Sequence, residues 1–270
     1  MSAKFGLIGG GVMGEALLSR LVAQKIYQPS EVIVSEPHPP RRDFLAQQYG
    51  VAVTSENEVA FEATEIVLLA VKPQVFDAVA VKLAPKLTGR DRLPIVLSIL
   101  AGVPLHKLEA AFPACPVVRA MPNTPATVGA GMTAIAPGKL AQPVHLEQAR
   151  TIFGSVGEVV EVPENLIDAV TGLSGSGPGY VAIAIEALTD GGVAAGLPRA
   201  IAAKLALQTV LGTAQLLHES GMHPAELKDR VTSPGGTTIA GIAQLEQAGF
   251  RSALIQAVTK ACDRAKELGS

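Results

Sequence analysis

A glycine-rich segment near the amino terminus has the spacing of a loop that binds a dinucleotide. Gly9, Gly11 and Gly14 satisfy the pattern G-x-G-x-x-G, between a short apolar run and a helical pattern. In such a loop the first glycine makes a tight turn, the second lets the backbone approach a pyrophosphate, and the third lets the helix pack on the sheet. The helix start at Val12 and Met13 adds free N–H groups for phosphate. The segment predicts a nicotinamide dinucleotide site, the alternative being an ordinary glycine-rich turn.

The end of the next predicted strand bears on which dinucleotide binds. Glu36 stands about 20 residues beyond the glycines, where an acidic side chain usually binds the adenosine ribose of NAD. Ser35, Arg41 and Arg42 can instead serve the 2′-phosphate of NADP, although the arginines are equally explained as solvated helix residues. The choice stays open, and we expect NADP(H), with NAD(H) as the alternative.

Two proline-containing loops follow further apolar strands, at the edge of the sheet where ligands of parallel sheets bind. Lys72 can meet a phosphate, a carboxylate or a ribose, and Asn123 can orient a nicotinamide or its ribose. Rigid turns alone would also explain the prolines. The candidate cofactor contacts in these loops are Ala70, Val71, Lys72, Pro73, Met121 and Asn123.

Two further loops of small residues, 174–180 and 232–238, each precede an apolar helix in the second half of the chain. The N–H groups of Gly236, Thr237 and Thr238 form a predicted cradle for a carboxylate. The Thr238 hydroxyl can meet another polar atom of the same ligand. Ordinary helix capping is the alternative explanation.

These loops are positioned by elements whose pattern changes after Pro163. Before it, strands alternate with helices, which favours a parallel sheet; after it, every candidate is a helix. We expect an α/β, Rossmann-like dinucleotide-binding domain over residues 1–163 and an all-α domain over 164–270. The predicted strands are 4–9, 31–35, 66–71, 95–100, 117–121, 132–136 and 158–162. The predicted helices of the second domain are 166–173, 178–195, 198–220, 224–231, 237–247 and 249–268.

The composition argues against several other classes of protein. Of 270 residues 48% are hydrophobic and 17% charged, and the net charge is −2 without a basic patch, so we expect no nucleic-acid partner. We expect no membrane partner and a cytoplasmic location, because we read no apolar stretch of roughly 20 residues. Cys115 and Cys262 have no Cys or His at metal-ligand spacing. We therefore expect buried thiols and no metal.

Taken together, the motifs resemble the pyrroline-5-carboxylate reductase family along essentially the whole chain. The resemblance rests on the glycine loop and on a set of short motifs. These motifs are AVKP at 70–73, MPNTP at 121–125, LSGSGP at 173–178, DGGV at 190–193, GLPR at 196–199 and LKDRVTSPGGTT at 227–238. The last run is highly specific.

The resemblance implies reduction of L-1-pyrroline-5-carboxylate to L-proline by hydride from NAD(P)H, the final step of proline biosynthesis. It also implies a helical domain that interlocks with a second copy as a homodimer, with rings of dimers in some members. By position, Asn57 matches an adenosine-ribose contact, Lys72 and Pro73 match ribose-side contacts, and Asn123 lies near the nicotinamide. Residues 236–238 match the site of the substrate carboxylate and imine nitrogen, with Thr238 as the catalytic residue.

The sequence is also compatible with two other functions. One is a related dehydrogenase that acts on a β-hydroxyacid or another cyclic imine; the hydroxyacid enzymes place a lysine on the long helix, and residues 178–195 contain none. The other is a nucleotide-binding protein without catalysis. Glu186 and Asp190, four residues apart on that helix, are either a proton relay or a solvent-facing or subunit-interface stripe.

Overall fold

The computed structural model describes residues 3–87 and 93–269. The chain forms two compact units, one comprising Met1–Gly175 with Ala261–Ser270 and the other Ser176–Lys260. The first unit extends past the predicted boundary at Pro163, since the buried Ile167 packs into its core.

The first unit is built on one twisted sheet whose strands are paired in the order β3-β2-β1-β4-β5-β6-β7-β8. Only β6 and β7 are paired antiparallel among the described strands. The chain order reverses between β1 and β4, which is where open α/β sheets bind ligands. The strands are β1 (Phe5–Ile8), β2 (Val32–Ser35), β3 (Ala52–Thr54), β4 (Ile66–Leu69), β5 (Ile95–Ser98), β6 (Val117–Met121), β7 (Gly131–Pro137) and β8 (Gly157–Glu161).

Helices cover both faces of this sheet, so its central strands are buried on both sides. Leu7 and Leu68 belong to the core cluster on one face, and Ile8 and Val67 to the cluster on the other. This explains why the strands read as continuous apolar runs instead of alternating ones. The helices are α1 (Val12–Ala23), α2 (Pro39–Tyr49), α3 (Asn57–Phe61), α4 (Phe76–Leu83), α5 (Leu105–Ala111), α6 (Pro143–Gly154) and α7 (Ile167–Val170).

The predicted strands are all present. Two elements, and the antiparallel direction of one strand, were not predicted from the sequence. The edge strand β3 and the short helix α3 were not predicted. The strand β7 runs antiparallel to β6 because residues 122–130 are too few for the crossover that a parallel pair needs, usually about a dozen or more residues. The predicted parallel sheet is therefore confirmed at the other pairs, and β6–β7 is its antiparallel exception.

The second unit is helical, as predicted. Its helices are α8 (Gly177–Ala194), α9 (Arg199–Ser220), α10 (Pro224–Arg230), α11 (Thr237–Gln247) and α12 (Phe250–Gly269). The helices α8 and α9 pack closely through small residues: a Cβ on Gly192 would lie 3.0 Å from the Cβ of Ala202, which is buried. The end of α12 belongs to the first unit, where Leu268 O lies 3.2 Å from the position of a Cβ on Gly102.

Among the described residues, one helix, α9, is long and apolar enough to cross a bilayer by length and composition alone. This differs from the sequence expectation that no such stretch would be found. The core helix of a soluble protein passes the same test, and the window in α9 is 11% buried within this single chain.

Candidate active site

The glycine loop joins β1 to α1 at the point where the strand order reverses. Gly9 has φ +105°, and a Cβ there would lie 2.7 Å from the carbonyl of Ala70 at the end of β4. A Cβ on Gly14 would lie 2.3 Å from Gly9 O, so only glycine lets α1 start this close to the strand. At Gly11 a Cβ would meet no protein atom within 4 Å. The space beside Gly11 is thus open to a ligand.

Side chains at the carboxyl end of β2 are hydrogen-bonded to this loop and to α3. The buried Ser35 donates its hydroxyl to Asn57 Oδ1 at 2.7 Å, and its carbonyl accepts from Gly9 N at 2.9 Å. Glu36 Oε2 accepts from Gly10 N at 3.0 Å. The structure therefore brings Ser35, Glu36 and Asn57, all predicted adenosine-side residues, to one edge of the sheet.

An ion pair between α1 and α2 lies next to this edge. Arg41 donates to Glu15, whose other oxygen accepts from the Tyr49 hydroxyl at 2.7 Å. Burial raises the pKa of Glu15, but the hydrogen bonds from Tyr49 and Arg41 and the guanidinium charge outweigh it and leave this pKa below its ordinary value. Burial, and then the hydrogen bond and charge of Glu15, raise the pKa of Tyr49 to about 12. The Arg41 guanidinium is therefore fixed by a protein carboxylate and is not a free cation at this edge.

The loop after β4 runs beside the glycine loop. Ala70 N donates to Ile8 O at 2.8 Å, and Pro73 opens a short 3₁₀ turn, Pro73–Val75. Lys72 is exposed, and no carboxylate in the part of the chain that the structure describes forms an ion pair with it. Its ammonium group is available to a ligand at this edge.

The loop after β6 meets a second sequence motif some fifty residues further along the chain. Asn123 Oδ1 accepts from Met132 N at 2.8 Å, and Asn123 Nδ2 donates to Ser174 O at 3.1 Å. Gly175 packs closely against Met121, since a Cβ there would lie 2.9 Å from Cε of that side chain. The Asn123 amide therefore has a protein partner at each end, which the sequence did not reveal.

Most of the segment 174–180 is helical, with a turn at Ser176, which corrects the prediction of a loop before Pro178. The short α7 passes into a π-helical turn, Thr171–Gly175, and α8 begins at Gly177. The small residues allow this turn to pack against the end of β6. Single π-turns of this kind occur frequently at functional sites.

A charge cluster around the buried Arg119 was not predicted from the sequence. Arg119 on β6 has a side chain only 7% exposed, and its guanidinium lies 3.1 Å from Glu164 and 3.9 Å from Asp168. Glu164 also accepts the N–H of Leu105. The visible signal was an arginine inside an otherwise apolar strand, because a buried arginine needs carboxylate partners.

The predicted substrate turn lies in the second unit, at the start of α11. Gly235 has φ +66°, and Gly236 is the residue before the helix, which has no side-chain cap. Gly236 N donates to Ser233 O at 3.0 Å. Its N–H is thus not free, and the predicted cradle reduces to the N–H groups of Thr237 and Thr238. The Thr238 side chain is half-buried.

The remaining candidates have ordinary structural surroundings. Asp190 forms an ion pair with Arg199, and Glu186 is exposed. Cys115 is buried as expected, whereas Cys262 is only half-buried. Within residues 3–87 and 93–269, no group of three or more His, Cys, Asp or Glu residues could hold a metal ion.

Comparison with known proteins identifies the family. The sequence profile described as pyrroline-5-carboxylate reductase dimerisation matches residues 164–268, and the profile described as NADP oxidoreductase, coenzyme F420-dependent, matches residues 4–102. The pyrroline-5-carboxylate reductase of Synechocystis sp. is 62% identical over 269 residues, covering 100% of this chain and 99% of that protein. The chain belongs to the pyrroline-5-carboxylate reductase family.

Solved structures of pyrroline-5-carboxylate reductases share its fold. The enzyme from Coxiella burnetii matches with a TM-score of 0.91 and 35% identity over 100% of both chains. The Plasmodium falciparum enzyme, solved with NADP bound, matches with a TM-score of 0.87 and 32% identity over 99% of this chain and 98% of that one. The predicted family and the Rossmann-like and helical fold class are both confirmed.

Proposed function

We propose that this chain reduces L-1-pyrroline-5-carboxylate to L-proline with hydride from NADPH or NADH, the last step of proline biosynthesis. The observation that carries the proposal is the family match over the full length of the chain, at 62% identity to one reductase. The glycine loop at the topological switch point supports it independently, because that is where a dinucleotide binds in such a sheet.

The residues at this edge fit a nicotinamide dinucleotide. Gly11 leaves open space beside the uncapped start of α1, where a helix N-terminus attracts phosphate. When bound, the nicotinamide supplies the hydride that adds to the imine carbon. The proposed contacts are Gly9, Gly11, Val12, Met13, Gly14, Ser35, Glu36, Asn57, Ala70, Val71, Lys72, Pro73, Met121 and Asn123. Asn123 also holds the loop after β6, because its amide bonds Met132 N and Ser174 O, and each end of the amide keeps one further donor or acceptor for the coenzyme.

The substrate is held, in this proposal, by the turn before α11. The N–H groups of Thr237 and Thr238 bind its carboxylate, helped by the positive end of the helix dipole. The Thr238 hydroxyl hydrogen-bonds the ring nitrogen and is the catalytic residue. Gly236 fits closely in the turn, because a Cβ there would lie 3.2 Å from the carbonyl oxygen of Ser233. A cyclic imine is basic enough to take a proton from water, so the protein's contribution is positioning and electrostatics.

The functional molecule is proposed to be a cytoplasmic homodimer, with a ring of dimers as the further possibility. Residues 1–163 serve as the nucleotide domain, and residues 164–270 as the domain for dimerisation and substrate binding. The match of a dimerisation profile to residues 164–268 supports this division. Many large apolar side chains on α8 and α9 are exposed in the single chain, which supports a partner surface there.

An assay of the purified chain tests the function directly. Racemic pyrroline-5-carboxylate is added with NADPH or NADH, and loss of nicotinamide absorbance is followed together with formation of proline. Oxidation of either coenzyme with stoichiometric proline is expected. A six-membered cyclic imine and a β-hydroxyacid are the comparison substrates. If either comparison substrate is turned over faster than pyrroline-5-carboxylate, the proposed substrate is wrong. Coenzyme binding without turnover of any substrate would indicate a non-catalytic nucleotide-binding protein.

A further inference from the structure

The Glu36 carboxylate is fixed in place at the edge where the adenosine ribose of a dinucleotide binds. Its Oε2 accepts from Gly10 N at 3.0 Å, and its Oε1 accepts from His38 N at 3.0 Å. Its backbone N–H donates to Thr54 O on β3 at 3.0 Å. With the backbone and both carboxylate oxygens held, the charge cannot swing away from a ligand without losing two hydrogen bonds.

The two arginines that follow are engaged with other acceptors. Arg42 Nη1 donates to the carbonyls of Glu36 and Pro37 at 2.7 and 2.8 Å. Arg41 Nε donates to Gly10 O at 2.7 Å, and its Nη2 is paired with the carboxylate of Glu15. Both guanidinium groups are thus used to hold the loop around Glu36. A 2′-phosphate would have to compete with the Glu15 carboxylate for Arg41, and it would meet an Arg42 whose Nη1 is already bound to two backbone carbonyls.

We propose that Glu36 sets the coenzyme selectivity of this chain, favouring the free ribose hydroxyls of NADH and opposing the 2′-phosphate of NADPH. A carboxylate accepts hydrogen bonds from a ribose diol, but it repels a phosphate that carries nearly two negative charges at neutral pH. Such discrimination works by placing an unfavourable charge against the wrong ligand. The inference rests on the proposed function in so far as that function requires a dinucleotide at this edge.

The decisive measurement compares binding of two adenosine fragments that take no part in the reaction. Dissociation constants for 5′-AMP and adenosine 2′,5′-bisphosphate are measured by calorimetry on the wild type and on Glu36→Gln. Glutamine has the same shape and keeps an oxygen for the Gly10 N–H, but its NH2 group cannot accept from His38 N. One exposed hydrogen bond is therefore lost, and an unchanged melting temperature of the variant checks that the loop persists. We expect the ratio of the two constants to shift by about tenfold or more toward the 2′-phosphorylated fragment, because a like-charge contact costs several kcal/mol.

Two further variants make the test specific. Glu147→Gln removes the same charge from an exposed position on α6, and we expect it to leave the ratio unchanged within about twofold, since exposed distant charges are screened. Arg42→Met removes the guanidinium that donates to the Glu36 carbonyl, and we expect it to weaken the 2′-phosphorylated fragment by less than about threefold, because its Nη1 already holds two backbone carbonyls. A larger loss would mean that Arg42 binds the phosphate.

The outcomes separate this inference from the proposed function. If both fragments bind but Glu36→Gln leaves their ratio unchanged, the selectivity role of Glu36 is wrong while the nucleotide site stands. If neither fragment nor either whole dinucleotide binds the wild-type chain, the proposed function itself fails. The same ratio measured with NADH and NADPH by nicotinamide fluorescence should move in the same direction as the ratio for the fragments.

Discussion

Two glycines of the same loop, Gly11 and Gly14, are required for different reasons, and one methyl group at each position distinguishes them. A Cβ at Gly11 enters open space, whereas a Cβ at Gly14 lies 2.3 Å from Gly9 O. We expect Gly11→Ala to fold normally and to bind dinucleotide at least about tenfold more weakly, because the methyl occupies the approach to the pyrophosphate. We expect Gly14→Ala to destabilise the protein by about 1–3 kcal/mol through overpacking.

Thermal unfolding and coenzyme titration of the two variants check this pair of expectations. Gly11→Ala should keep the melting temperature of the wild type but bind the coenzyme more weakly. Gly14→Ala should instead have a lower melting temperature than the wild type. An unchanged coenzyme affinity in Gly11→Ala would show that the space beside Gly11 is not a ligand site.

The Thr238 hydroxyl is the one side-chain group assigned to the reacting part of the substrate. Thr238→Ala should reduce turnover by about tenfold or more, since a hydrogen bond made at the transition state contributes about 1.4 kcal/mol or more. Thr238→Ser keeps a hydroxyl at the same place and should restore most of the turnover. Steady-state kinetics at saturating coenzyme would measure both. Wild-type turnover in the alanine variant would contradict the role, and equal losses in both variants would assign the residue to helix structure instead.

Candidate site residues could be predicted from the sequence where their role depends on backbone conformation. A glycine spacing specifies a turn, so Gly9 and Gly14 could be placed without a structure, and both have steric reasons in the fold. Roles that depend on a distant partner could not be read. Asn123 was predicted as a ligand contact, and the bridge that its amide also forms between Met132 and Ser174 could not be foreseen, because only the folded chain brings these groups near it.

At the scale of elements, a buried ionic cluster connects the strand β6 to the segment that leads into the helical part of the chain. Arg119 reaches Glu164 and Asp168, and Glu164 also accepts from Leu105 at the start of α5. Because β6 ends in the Asn123 loop, this cluster holds the strand whose end contacts Ser174. It also explains why residues beyond Pro163 belong to the first unit.

Replacing Arg119 by a neutral residue should destabilise the fold, because two carboxylates lose their counter-ion. We expect Arg119→Met to lower the free energy of unfolding by about 3 kcal/mol, since it leaves two carboxylates near a buried site without their cation. The control is Arg150→Met, which breaks an exposed pair with Glu161 and should cost less than about 1 kcal/mol. Urea denaturation followed by circular dichroism compares them. Equal, small losses would mean that Glu164 and Asp168 are solvated well enough to need no partner.

Helices and strands were predicted correctly where the segment is long and its apolar residues follow a clear pattern. The helix α11 and the strand β6 were predicted to the residue, and most other bounds differ by one or two positions. The failures are short or connection-dependent: β3 and α3 have few residues, and the direction of β7 depends on the length of the link before it. The helical form of residues 174–175 was missed because glycine and serine usually favour turns over helices.

At the scale of the whole molecule, the second unit is short of a core within one chain. Along α9 only Ala202 and Ala206 are buried, while Leu207 and Leu211 are each 56% exposed. These two leucines are four residues apart and therefore share a helix face. A face of this kind must be covered by protein or lipid, and the dimerisation profile over residues 164–268 favours a second copy of the chain.

A charge placed on that face should therefore separate the copies. We expect Leu211→Arg to sediment as a monomer and to lose most of its activity, because an unpaired cation cannot be buried in an apolar interface. Leu140→Arg is the matched control: Leu140 is 50% exposed but lies in the first unit, so the variant should keep both the assembly and the activity of the wild type. Analytical ultracentrifugation with parallel assays measures both properties. A wild type that sediments as a monomer, and whose α9 face instead binds lipid vesicles, would show that this surface is covered by a membrane and not by a partner chain.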